Sequence, residues 1–327
     1  MAKPRRLFAV ALAASLQCVG PALPQDWPAR PVTMVVTFAP GGPNDVVARI
    51  LASRMSEVLG QQIIIENVGG AGGMTGSYRV AKAQPDGYQF VYGNLGTHAQ
   101  NQTLYKKPLY NSATDFAPVG LFSTSTKPLI VRNGLPADTL PEFIAYAKAN
   151  QAKMQYGSAG GGSATHIACV LFNSVIGVDV AHIPYRGSTL AMQDLIAGRI
   201  DYMCDAIQTA LPQIQANTVK AIALLSPSRA SVLPNLPTAR EQGLADFDVD
   251  SWAAFFLPKG TPDVIVRRLN KAMSDALDTR AVRERLDSLG VSVVPPERRS
   301  PEYLAKFVPA EIEKWAGPIR AAGISAD

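Results

Sequence analysis

Apolar positions along this chain come in short blocks separated by glycine- and proline-bearing turns. Val32 to Phe38 is an apolar, β-branched run bounded by Pro31 and Pro40, which predicts a buried strand. From Asp45 to Leu59 the residues Val46, Val47, Ile50, Leu51, Met55 and Leu59 recur at helical spacing, and Gly60 supplies a stop. Ile63 to Glu66 predicts a second strand, Gly69 to Gly76 a glycine-rich loop, and Ser77 to Ala83 the start of a helix. The turn signal Pro85-Asp86-Gly87 precedes a strand over Tyr88 to Tyr92. The pattern recurs past Leu129. Met154 to Ser158, Val178 to Pro184, Asp201 to Cys204 and Val219 to Leu225 read as strands, with helices over Ser163 to Ile176 and Ser188 to Ala197.

Strand and helix alternate in both stretches, so each predicts a parallel sheet with helices packed on its faces. The segment from Asp263 to Asp327 is mostly helical, with mixed charges that suit solvated helix faces. The chain is also too long for a single hydrophobic core, and two α/β lobes are expected.

The first residues change the charge balance. Lys3, Arg5 and Arg6 precede an apolar stretch from Leu7 to Leu16 and then small residues and prolines up to Gln25, the layout of a secretory signal peptide. That stretch spans about ten residues, against the ~20 that a membrane-spanning helix needs. Of 31 basic and 26 acidic residues, three basic ones lie in this leader, leaving 28 against 26, a net +2. So even a balance argues against a nucleic-acid protein or a polybasic membrane binder. Beyond the leader only Cys169 and Cys204 remain, and the sequence leaves open whether they form a disulfide or stay as two buried thiols. With three scattered histidines they show no metal-ligand spacing, and no cofactor is expected.

Ligands of open α/β sheets bind beyond the carboxyl ends of the strands. Those positions hold Ala39-Pro40-Gly41-Gly42-Pro43-Asn44-Asp45 in the first unit and Gly157 to His166 in the second, including Gly161, Ser163, Thr165 and His166. Each turn leads into a helix start, where unpaired N–H groups and a positive partial charge attract anions, and glycine admits a close approach. Two such turns facing each other would grip a small acid. Asp45 suits a helix cap, with a ligand amino group as the other reading, and Ser163 is equally an N-cap. Enzyme templates fit poorly. Gly161-Gly162-Ser163-Ala164-Thr165 lacks the last glycine of a hydrolase elbow, and Gly160 to Thr165 and Gly70 to Thr75 lack that of a dinucleotide fold. A triad of Ser163, His166 and Asp205 would need in-line geometry from residues three apart on one helix.

Taken in order, Phe38-Ala39-Pro40-Gly41-Gly42 with Asp45 and Arg49, Glu66-Asn67, Gly70-Ala71-Gly72-Gly73 and Pro85-Asp86-Gly87-Tyr88 lead to Tyr156-Gly157-Ser158, Gly162-Ser163, His182-Ile183-Pro184-Tyr185-Arg186-Gly187 and Pro258-Lys259-Gly260-Thr261-Pro262. This series resembles the Bug-type receptors of tripartite tricarboxylate transport systems, from about Trp27 to the C-terminus. The resemblance implies an α/β, two-lobed periplasmic-binding-protein (Venus-flytrap, type II-like) architecture with a ligand cleft between lobes. It also implies carboxylate binding by loop residues Phe38 to Asn44 and the turn around Thr97. From the second lobe come Ser158, Gly161, Ser163, Thr165, the Tyr185-Arg186-Gly187 turn and the region of Asp205. Pro43 departs from the family, whose members often carry a hydroxyl there.

The expectation is thus a periplasmic, non-enzymatic, monomeric receptor for a small carboxylate, delivering it to membrane permease subunits, without nucleic acid and without inserting into the membrane. Residues 1–25 are the leader, 26–125 plus 252–327 the first lobe and 126–251 the second. Hinges are expected near Leu121 to Lys127 and Ser251 to Phe256. The rivals are a periplasmic hydrolase at the same cleft and a sensor receptor. The ligand, whether dicarboxylate, tricarboxylate, amino acid or aromatic acid, stays open.

Overall fold

The structure is a computed structural model that describes residues 27–245 and 247–325; the leader lies outside them. The strands are β1 (Val32–Val36), β2 (Ile63–Asn67), β3 (Gln89–Asn94), β4 (Phe116–Ser125), β5 (Pro128–Arg132), β6 (Gln155–Ser158), β7 (Ala181–Pro184), β8 (Tyr202–Cys204), β9 (Val219–Leu224), β10 (Ser251–Pro258) and β11 (Val291–Val293). The α-helices are α1 (Pro43–Leu59), α2 (Met74–Ala81), α3 (Asn101–Leu104), α4 (Leu140–Asn150), α5 (Ala164–Ile176), α6 (Ser188–Ile196), α7 (Ile207–Gln215), α8 (Asp263–Asp278), α9 (Arg280–Asp287) and α10 (Pro301–Ala321).

Helix α1 shows how local chemistry sets these elements. Pro43 occupies its first turn, where a missing N–H costs nothing. Val47, Ala48, Leu51, Ala52, Met55 and Leu59 form its buried stripe, and Gly60, left-handed at φ 70°, ends it. Helix α5 starts with Ser163, whose hydroxyl accepts from His166 N–H, and ends at left-handed Gly177.

Two sheets result. One is six-stranded in the order β11-β4-β10-β3-β1-β2, and the other five-stranded in the order β7-β6-β8-β5-β9. The parallel pairings expected from the alternation are present in β2-β1-β3 and in β7-β6-β8. Neither sheet is wholly parallel, however. Strand β10 runs antiparallel between β3 and β4, and β5 runs antiparallel between β8 and β9. The long strands β4 and β10 pair along their lengths at the point where the chain leaves one sheet for the other, and such side-by-side strands need no helical crossover between them. The chain passes from β4 to β5 through Thr126 and Lys127 alone, and returns from β9 to β10 over residues 225–250.

The apolar core does not stop at this passage. One continuous cluster takes in Val91, Leu95 and Leu104 beside the first sheet, Phe143, Tyr156, Phe172 and Tyr202 around the second, and Leu304, Val308, Trp315 and Ile319 of α10. Helix α10 touches α3 and β4 on one side and α5 on the other. The Glu311 carboxylate on α10 accepts both the Trp315 indole N–H (3.1 Å) and that of Trp252 on β10 (2.9 Å). Cys169 and Cys204 are free and buried, and the Cys204 N–H donates to Cys169 Sγ at 2.9 Å, so the thiols act as small packing groups.

A core shared by both sheets predicts one cooperative unfolding transition by calorimetry, with no separate melting of the two halves. Phe172→Ala, which empties a fully buried ring site, is expected to cost about 3–5 kcal/mol and lower that single transition without splitting it.

Candidate functional site

Four helix N-termini meet at one cavity between the two sheets. Gly42, Pro43 and Asn44 bring the start of α1, and Ser163, Ala164 and Thr165 the start of α5. Gly187, Ser188 and Thr189 bring the start of α6, and Ala206 and Gln208 the start of α7. Phe38 and Ala39, Tyr92, Asn94, Ser123, Ser125, Lys127, Ala159 and Ser251 to Ala253 complete the wall. The space is about 680 Å³ including its opening to solvent, room for one small molecule. Each helix start adds a fraction of a positive charge, about +0.5 at full strength, with N–H groups that the helix itself does not use. A small anion is what this arrangement attracts.

The first turn is held by a buried carboxylate. Asp45 Oδ2 accepts from Gly41 N–H and Arg49 Nε, both at 2.9 Å, and Oδ1 accepts from Arg49 Nη2 and Asn67 Nδ2, both at 3.0 Å. Asn67 Nδ2 also donates to Phe38 O at 3.0 Å. Burial alone would raise the Asp45 carboxyl, but the Arg49, Gly41 and Asn67 donors outweigh it and hold the group below its usual range. Asp45 does not line the cavity; it braces the loop that does.

The second turn rests on stacked rings. His166 lies 4.1 Å from His182 and near-parallel to it, and Tyr156 stacks on His182 at 4.9 Å. His166 Nδ1 accepts Gly162 N–H at 3.2 Å, and Ser158 Oγ pairs with His182 Nε2 at 2.7 Å while accepting Gly160 N–H at 3.1 Å. Ser163 Oγ meets the backbone N–H of His166, with the ring itself turned to Gly162. The in-line geometry of a Ser–His catalytic pair is therefore not formed at Ser163.

Of the residues singled out in the sequence, Phe38, Gly42, Pro43, Asn44, Ser163, Thr165 and Gly187 line the cavity. Asp45, Ser158 and His166 stand behind it as braces. Thr97 is buried and exchanges hydrogen bonds with Asn94, which does line it. Tyr185 and Arg186 line an adjoining groove with Gly69 to Ala71 and Gly160, which shares Phe38, Ala39 and Ala159 with the cavity wall. Gly41 and Gly161 lie at the lips, where the Gly41 carbonyl accepts the Thr189 hydroxyl at 3.2 Å and the Gly161 carbonyl the Tyr105 hydroxyl at 3.4 Å. Pro40 is exposed beside them. Asp205 is fully buried, with Oδ2 accepting Thr209 Oγ1 at 2.5 Å. The Ser188 hydroxyl is near the same carboxyl, although Oδ1 has no fully formed hydrogen bond. Burial raises the Asp205 carboxyl, with the Thr209 and Ser188 hydroxyls opposing.

Sequence reasoning passed over Tyr92, Asn94, Ser123, Ser125, Lys127, Gln208 and Trp252. The starts of α6 and α7 carried a signal, since each follows a strand as α1 and α5 do. Buried Asn44 Nδ2 and Gln208 Oε1, both on the cavity wall, have no partner among the described residues. In a protein interior that is costly unless something fills the space.

The three histidines make stability depend on pH. Burial lowers His98 and His166 to about 3 and His182 to about 4, with the His182 ring adding to the effect on His166. In the unfolded chain each titrates near its ordinary value of ~6.5. Below that pH the unfolded state binds protons that the folded state refuses, so stability is full above about 6.5 and declines as pH falls toward 3–4. Melting temperatures recorded from pH 7.5 to 4.5 should fall. His98→Phe, which keeps an aromatic ring stacked on Phe256, should flatten part of the fall.

Comparison with known proteins agrees with this geometry. Residues 47–324 match the family model described as "Tripartite tricarboxylate transporter family receptor". MatC from Rhodopseudomonas palustris, solved with bound malate, is 42% identical with a TM-score of 0.87, covering 90% of this chain and 100% of that one. The periplasmic binding protein BugD is 38% identical with a TM-score of 0.89 over 91% of this chain and 99% of its own. A second R. palustris protein, solved with adipate, is 34% identical with a TM-score of 0.87 over 92% and 99%. No helix among the described residues is long and apolar enough to cross a membrane. The fold is that of the ligand-binding receptors among these relatives, and the chain belongs to the Bug-type receptors of the tripartite tricarboxylate transporter family.

Proposed function

We propose that this protein is a periplasmic receptor that captures a small carboxylate between its lobes and hands it, unchanged, to a tripartite tricarboxylate-type permease. The observation that carries this reading is the convergence of four helix N-termini on one small cavity. A carboxylate placed there meets backbone N–H groups at the starts of α1, α5, α6 and α7, and side chains of Asn44, Ser163 and Thr165. The malate and adipate held by its relatives are acids of this size and charge.

Capture works by moving residues 126–251 against 26–125 plus 252–327, with bending at Thr126-Lys127 and at the start of β10. Close contacts across the cleft support reading the described arrangement as the closed one. A Cβ on Gly72 would stand 2.7 Å from the Gly161 carbonyl oxygen, and one on Gly187 3.1 Å from Ala39 Cβ. Ligand contacts on both lips favour this state over an open one.

A thermal-shift screen of the mature protein against malate, succinate, adipate, aromatic acids and amino acids tests the reading. A ligand at ~100 times its Kd adds about 2.7 kcal/mol of stability. The expected result is a raised melting temperature with the acid recovered intact by NMR. No shift with any carboxylate sinks the proposal, and consumption of the acid transfers the cleft to an enzyme. Gly72→Val should weaken ligand binding by obstructing closure, read as a smaller ligand-induced shift. Its position at φ +60° adds backbone strain, so the free protein should also melt somewhat lower.

A further inference from the structure

One wall residue of the cavity is a full charge rather than a helix dipole. Lys127 sits on the two-residue passage between β4 and β5, lines the cavity, and is 1% exposed. Its Nζ donates to the Val249 carbonyl at 2.6 Å, and this is its one hydrogen bond among the described residues. No carboxylate oxygen among them lies within 4.0 Å of it. Asp250, Asp248 and Asp205 are near enough to favour its charge without touching it. Desolvation prevails over them and lowers the ammonium to about 8, which leaves it mostly protonated at neutral pH.

A buried ammonium with two N–H groups unspent is expensive, and in proteins such a group is paired or pays by losing its proton. Here the compensating acceptor has a place to come from, because the same wall bounds the ligand space. Ser123, Ser125 and Ser251 line the same cavity as Lys127, and Ser251 of β10 pairs with Ser125 of β4, two residues before the lysine. The helix starts that attract the first acidic group are contributed by other segments, residues 42–44, 163–165, 187–189 and 206–208. The cavity therefore has two kinds of anion site, one made of backbone dipoles and one made of a lysine.

We infer that Lys127 is the specificity-determining residue of this receptor: it pairs with a second carboxylate, so that the ligand is a dicarboxylate and monocarboxylates of the same length are disfavoured. This rests on the proposed function above. A zwitterionic amino acid would bring its ammonium into a cavity already ringed by positive charge, which sets it behind a diacid. Removal of the ion pair leaves a ligand carboxylate buried without its partner, an error that costs far more than the loss of a surface contact.

The test measures binding of succinate and butyrate, and of adipate and hexanoate, by calorimetric titration of wild type, Lys127→Met and Lys127→Arg. Methionine keeps most of the side-chain volume and leaves the buried position apolar, so folding is expected to survive, and the melting temperature of the free variants checks it. The expected result is that wild type prefers each diacid over its monoacid. Lys127→Met should lose diacid affinity by ~30-fold or more, with the monoacid little changed, while Lys127→Arg should retain part of the preference. If Lys127→Met keeps the wild-type preference, or loses diacid and monoacid equally, Lys127 reads no second carboxylate and the inference fails while the receptor stands. If wild type binds none of the four acids, the carboxylate reading itself has failed.

Discussion

A buried carboxylate behind the cavity wall organises the end of the first lobe. Asp45 is buried within the first turn of α1, and its two oxygens gather Gly41, Arg49 and Asn67. Those bonds tie the end of β2 to the loop after β1 and to the helix that follows. Without them Gly42, Pro43 and Asn44 would have no fixed direction, and α1 has no side-chain cap at Gly42 to take their place. A buried charge is normally a liability, and here it is offset by a guanidinium and two amide-type donors in contact. The second lobe reaches the same end by a different route. Its turn is stiffened by neutral imidazoles stacked on a tyrosine, with one ring nitrogen accepting a loop N–H.

Both devices hold the turns through side chains set behind the cavity wall. That division of labour suits recognition. Side chains behind the loops hold the shape, and peptide groups in front offer donors with little conformational entropy left to lose. The same economy governs the lips, where a Cβ on Gly72 or Gly96 would press on backbone of the opposite segment and one on Gly162 on the Tyr105 ring, with Gly187 in tight contact with Ala39. Glycine there serves contact between lobes as much as chain reversal.

Much of this was readable in the sequence. Helix α1 and its glycine stop, the strand–turn–helix order of both units, and the two glycine turns all follow from local patterns, because periodicity, proline and glycine act within a few residues. The cavity residues Phe38, Gly42 to Asn44, Ser163, Thr165 and Gly187 were reachable for the same reason. What was not legible depends on distant pairing. Nothing local to Ser251–Pro258 says that β10 inserts antiparallel between β3 and β4. Lys127 reads as an ordinary charged residue beside a proline until β5, β10 and Val249 enclose it. That Asp45 and His166 stand behind the cavity wall and not on it was not legible either, because bracing and lining residues share the same few positions of a loop and spacing alone does not separate them.

Trp252 gives this chain an optical property. Trp252 is a residue of the cavity wall whose indole donates to Glu311, the carboxylate that also holds Trp315, and Trp27 is the third tryptophan of the sequence. Trp252 and Trp315 thus form a pair that shares one carboxylate at the edge of the cavity, while Trp27 packs in a different apolar cluster with Val32 and Leu59. Part of the intrinsic emission of the unlabelled protein therefore comes from a residue of the cavity wall, which makes it an optical probe for the proposed ligand.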